Sequence, residues 1–222
     1  MNVKHWSIAV SLVAIVAAAA VAQDSKKVPD KKAPDKPAAA VAQPELKLPP
    51  GWTAADMQAC IAAATPGAMH ERLAKDIGVW QGKNTMWMAP GTEPLKSDST
   101  TTVSAIMDGR FVKLEMAGEI PGMGPYNGLA ISGYDNVSKK FTSTWIDNHG
   151  TGMSIGEGEL SKDGKTLSWN YKFNCPLTNK PVVMRQIETI TGPETKTLEM
   201  YSPDPKTGKE YKMMVIELTK KK

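Results

Sequence analysis

Cysteine and histidine are scarce: 222 residues hold two cysteines and three histidines. With no C-x-x-C and no H-x-x-x-H spacing, a structural zinc site has no ligand set to draw on, and no cofactor is expected. Excess charge of one sign is also missing. The formal net charge is +4 and falls by one with Lys4 if the first residues are removed. Such a mild balance, without a basic stripe, argues against a nucleic-acid partner. Arginine is rare, which singles out Arg185.

A long apolar run occurs at the start. Lys4 precedes Trp6 and "SIAVSLVAIVAAAA", and the small-residue site Ala20-Val21-Ala22 stands before Gln23. Residues 1–22 therefore read as a secretory signal peptide cleaved near Ala22-Gln23, and the chain as exported, periplasmic or extracellular. The competing reading is an uncleaved anchor, since about 17 apolar residues is the short limit for crossing a bilayer. Residues 23–50 consist largely of Pro, Ala, Lys and Asp without an aromatic side chain. They cannot bury enough apolar surface to offset the entropy of ordering and read as a disordered tether, whose lysines give it a route to an anionic envelope. Residues 51–222 form the folded part. Export also opens the alternative that Cys60 and Cys175 pair, against two buried free thiols.

Thr53 followed by "AADMQACIAAA" predicts an N-capped helix, and "PGAMHERLAKDIG" predicts a second one ending at Gly78, so a helical segment covers residues 53–77. About ten strand-like runs follow, near 78–88, 97–107, 110–118, 128–135, 140–147, 152–160, 166–174, 182–191, 195–202 and 211–219. In "LSWNYKF", Leu167, Trp169, Tyr171 and Phe173 share one face while Ser168, Asn170 and Lys172 share the other, the period of two that a sheet with one buried side requires. Asp108-Gly109, Asp163-Gly164 and Thr207-Gly208 punctuate the runs as tight turns. Short links make the strands antiparallel neighbours. An open sheet of ten would leave two bare edges, so a mainly β, roughly ten-stranded up-and-down, lipocalin-like barrel preceded by short N-terminal helices is the economical fold. A sandwich is the alternative.

The segments "HERLAKDIGVWQG", "DGRFVKLEMAG", "GLAISGYDNVSKKFTSTWIDNHGT" and "GEGELSKDGKTL" resemble the bacterial domain-of-unknown-function family 1579 over about residues 66–219. The resemblance implies a lipocalin-like barrel and brings no activity with it. Gly78-Val79-Trp80 also resembles the Gly-x-Trp opening of calycin barrels, which implies a tryptophan packed at the closed end.

Gly152-Met153-Ser154-Ile155-Gly156 fits the G-x-S-x-G pattern of a nucleophile elbow, but a strand and hairpin follow it and no histidine comes after His149, so its context fails. Asp147 and His149 are two apart and would make an acid and base pair on an extended strand; a hairpin turn in which Asp147 bonds turn amides is favoured over that. Arg185 shares a face with Val183 and Ile187, where its forked donors would suit a ligand carboxylate. The alternatives are packing over a tryptophan such as Trp80 or reaching solvent. Met86, Met116, Met153, Met184 and Met213 would line an adaptable pocket or fill a core. The glycine-rich stretch 118–128 reads as a loop able to flap over an opening.

These residues lead to a small apolar or amphipathic ligand held inside the barrel, with Trp145, Asp147, His149, Trp169, Tyr171 and Arg185 as candidate binding residues. A secreted enzyme using Asp147 and His149 near the mouth, and a non-catalytic envelope scaffold, are the alternatives.

Overall fold

A computed structural model describes residues 48–222. The expected signal peptide and the expected tether as far as residue 47 lie outside the described residues. Two compact units divide the chain, one containing residues 63–222 and the other ending at Ala62.

Helix α1 spans Ala54–Ala64. Its start is held reciprocally: the Asp56 amide donates to Thr53 Oγ1 at 3.2 Å, and the Thr53 amide donates to the Asp56 carboxylate at 2.7 Å. A cap of this kind contributes about 1 kcal/mol. Helix α2 is one short stretch, Ala68–Ala74, beginning two residues after Pro66. His70 Nδ1 accepts from the Gly67 amide at 3.0 Å, and the buried His70 ring meets Tyr134 edge-on at 6.0 Å, so this histidine caps and packs.

Ten strands follow: β1 Gly78–Met86, β2 Leu95–Ile106, β3 Phe111–Ile120, β4 Gly124–Asp135, β5 Lys140–Asp147, β6 Ser154–Leu160, β7 Thr166–Cys175, β8 Lys180–Gly192, β9 Thr195–Pro203 and β10 Glu210–Lys220. They form one closed antiparallel ring in which every strand pairs with its neighbours in sequence and β1 closes on β10. Closure removes the bare edges, which decides for the barrel over the sandwich. Register shifts at Lys212/Met214 and at Ile190/Gly192 interrupt the ladders, and such bulges add the local bend that rolling a sheet demands. Positive φ at Asp108 (54°) and Gly109 (79°) turns β2 into β3 where the Asp-Gly pair stands.

The stretch 118–128 corrects an expectation. Instead of a loop, β3 and β4 stay paired through Gly118↔Tyr126, Glu119↔Pro125 and Ile120↔Gly124, leaving a turn of residues 121–123. Two of its glycines serve close packing, a Cβ at Gly118 lying 3.0 Å from the Asp98 carbonyl and one at Gly128 overlapping the Trp145 ring, while Gly122 and Gly124 take the positive φ of the turn.

Because β1 starts just after α2, the turns at 107–110, 136–139, 161–165 and 193–194 share the α2 end, and those at 87–94, 121–123, 148–153, 176–179 and 204–209 share the other. The α2 end is sealed. Leu73 joins Trp80, Val103, Val112, Phe141, Leu167, Trp169, Tyr171, Ile216 and Leu218 in one buried cluster, and the Trp80 indole donates to the Asp76 carbonyl at 2.8 Å. The Gly-x-Trp tryptophan thus packs at the closed end.

Candidate functional site

Side chains that point inward along the strands do not fill the barrel. They surround a cavity of about 1190 Å³ that runs from Trp80, Glu188 and Lys196 at the sealed end to the turns at the other. Small-molecule sites ordinarily measure about 300–1000 Å³, so the space is ample.

Glycines explain why it stays open. Gly156 and Gly158 are inward positions of β6, paired with Tyr171 and Trp169 of β7. A Cβ would stand 2.6 Å from the Tyr171 ring at Gly156 and 2.7 Å from the Trp169 ring at Gly158. Three ring atoms crowd each of those points, so each ring lies with its face over the β6 backbone instead of projecting into the centre. Trp145 lies over Gly128 of β4 in the same way. The G-x-S-x-G match has this role: Ser154 opens a strand that continues into a hairpin, and Gly156 makes room for Tyr171.

Opposite these rings run thioethers. Met200, Met214 and Met86 are cross-strand neighbours on β9, β10 and β1, and all three line the cavity. Met116, Met153, Met184 and Met213 line it too. Some polar wall groups are occupied by one another: Ser132 and Ser143 hydroxyls lie 2.8 Å apart, and Asn84 Nδ2 donates to Ser97 at 3.2 Å. Burial pushes the Tyr171 phenol up to about 12 and the Tyr126 phenol well above its ordinary value, so both are uncharged wall groups at neutral pH.

Charge is confined to the floor and the rim. At the floor Arg72 bonds Asp76 at 3.1 Å and Glu188 at 3.5 Å, and Lys196 bonds the same two carboxylates at 3.2 and 3.3 Å while its Nζ stands 4.7 Å from the Trp80 ring centre. Burial alone would depress the Lys196 ammonium; Glu188 and Asp76 outweigh it and hold the lysine above its ordinary value. At the rim, Asp147 ends β5. Its carboxylate accepts from the His149 amide at 2.9 Å, the Gly150 amide at 3.0 Å and the Trp145 indole at 3.1 Å. That is a turn-forming aspartate, and burial raises its carboxyl from the usual range. His149 sits in the 148–153 turn and, for the same reason of burial, has its imidazolium lowered to about 4.

Of the six candidate residues, Trp145, Asp147, Trp169 and Tyr171 line the cavity. His149 stands in the adjoining turn. Arg185 is corrected: it points outward, bonding Glu210 at 2.7 Å and lying 4.2 Å over the Tyr201 ring, because Met184 and Gln186 take the inward positions of β8. Tyr126, Gln186, Met200, Met214 and the Glu188–Lys196 floor were missed. Alternation along β4 and β9 carried a signal for Tyr126 and Met200; nothing local announced the floor, whose charges come from α2, β8, β9 and the link after α2. Cys60 is exposed on α1 and Cys175 is buried at the end of β7, both as free thiols. Among the described residues no group of three or more His, Cys, Asp or Glu side chains is placed to hold a metal, and no helix is long and apolar enough to cross a membrane.

Solved structures that share this fold include a phycobiliprotein lyase and a protein from M. tuberculosis. The S-type phycobiliprotein lyase CPES from Guillardia theta is 8% identical, with a TM-score of 0.53 over 73% of this chain and 97% of that one. The protein Rv2717c from M. tuberculosis is 11% identical, with a TM-score of 0.51 over 71% and 100%. At such identities the likeness concerns the fold alone. No curated protein matches the chain. Residues 65–220 match the family described as protein of unknown function (DUF1579), and the chain belongs to that family.

Proposed function

We propose that this chain is an exported binding protein that holds a small apolar or amphipathic molecule inside its barrel. The cavity of about 1190 Å³, kept open by ring faces laid over β-strand glycines, is the observation that supports the reading most. A barrel built only for stability would fill that space, since interiors pack as densely as organic crystals and voids cost contacts. Methionine thioethers give the wall adaptability, and the neutral Tyr126 and Tyr171 phenols give it a few hydrogen-bonding points. Export rests on the leader-like residues 1–22.

Native mass spectrometry of the full chain purified from its own host tests this. The expected result is a retained molecule whose occupancy drops when Met200→Trp fills the space. A bare protein that also takes up no apolar probe would sink the proposal.

A further inference from the structure

Ring faces gather on one side of the cavity, with Met116 and Met184 beside them, and a stripe of three methionines runs across from them, an arrangement that points to a ligand shape. In a ring of ten strands β10 stands five places from β5, β9 five from β4, and β1 five from β6. Tyr126, Trp145, Trp169 and Tyr171 occupy β4, β5 and β7, around the glycine-bearing β6. The Met200, Met214 and Met86 stripe occupies the strands opposite. Neighbouring rings are similarly inclined: the planes of Tyr126 and Trp145 differ by 20° at a centroid separation of 6.3 Å, and those of Trp169 and Tyr171 by 32° at 5.8 Å. One face of Trp145, Trp169 and Tyr171 rests on backbone, and all three rings line the cavity, the half-buried Trp145 being the most open of them.

From this arrangement, and resting on the binding role proposed above, we infer that the cavity takes a flat, conjugated ring molecule in preference to a flexible acyl chain. A planar guest would lie between ring faces on one side and thioethers on the other. Aromatic stacking and sulfur-to-ring contacts each add to the gain from area burial. An acyl chain gains only the area term, and ordering its rotors costs entropy that a rigid ring system does not lose. The floor adds little discrimination by charge, because Arg72, Lys196, Asp76 and Glu188 balance one another.

Equilibrium dialysis of the full chain against two neutral probes, 1-pyrenemethanol and radiolabelled methyl palmitate, tests this. The planar probe is expected to bind at least about tenfold more tightly, which is about 1.4 kcal/mol. Trp169→Leu, which keeps apolar bulk and removes the ring face, is expected to weaken the planar probe about tenfold more than the acyl probe and so abolish that preference. Trp145→Leu at the less buried end gives the same reading if Trp169→Leu does not fold. Equal or tighter binding of the acyl probe, or a preference that survives both substitutions, overturns the inference and leaves the binding role standing. Binding of neither probe overturns both.

Discussion

At the α2 end of the barrel, Phe141 and Leu167 are almost wholly buried, and four charges pair off beneath Trp80. At the other end five turns surround open space, and a smaller buried cluster of Met86, Ile120 and Tyr126 lies along its wall. One continuous sheet makes both ends, but α2 covers only one of them, and the side-chain volumes differ to match. Phenylalanine, leucine and two tryptophans fill the first; in the second, methionines, Ile120, Tyr126 and Trp145 line the wall and leave space between them. Stability is therefore concentrated at one end and room for a guest at the other.

The sharpest way to break that comparison is to truncate one residue from each end. Phe141→Ala is expected to cost about 3–5 kcal/mol, because it opens a void in packed surroundings. Met200→Ala, which only enlarges an existing space, is expected to fall at or below about 2 kcal/mol. Urea unfolding of both variants measures the contrast, and equal losses would mean that the two ends are packed alike. Next in size is Lys196→Ala. Removing a cation held by Asp76 and Glu188 under Trp80 is expected to cost about 3 kcal/mol by the same measurement, since breaking a buried pair leaves charge uncompensated. An exposed pair such as Lys83 with Asp98, at 2.9 Å, should contribute less than about 1 kcal/mol. The smallest effect belongs to the rim. Burial lowers His149 from 6.5 to about 4, so its contribution is whole above pH 6.5 and is lost as the pH falls through about 4. Thermal melts across that window should show a steeper acid loss in the parent than in His149→Gln.

Much of the barrel was legible from residues alone, because alternation and turn chemistry are local. Strand β5 begins and ends where the run 140–147 places it, and Asp108-Gly109 turns the chain as such pairs do. Inward placement of Trp169 and Tyr171 was legible too, since β7 alternates cleanly between buried and exposed positions. Strand β8 has no such contrast: most of its positions are half-buried, and grouping Arg185 with Val183 and Ile187 named a face without saying which way it looked. Its orientation follows from the Tyr171↔Met184 pairing, which is a relation between strands. The glycines misled for a similar reason. In 118–128 they resembled slack, whereas Gly118 and Gly128 are small because Ser99 and Trp145 lie against them. The cavity itself depends on the matching of β6 glycines with β7 rings, a coincidence of register that neither strand's own pattern contains.

The pairing of β1 with β10, from Trp80↔Lys220 to Met86↔Met214, gives the molecule a seam. Every other pairing joins segments that emerge one after the other during synthesis, but this one waits until β10 has been made. Until then β1 must keep an unpaired flank, and the floor under Trp80 has no β10 to complete it. A nascent chain halted before residue 210 would thus carry nine strands, a hollow without a wall and a pair of sticky edges, which makes the final eleven-residue strand the latch on which containment depends.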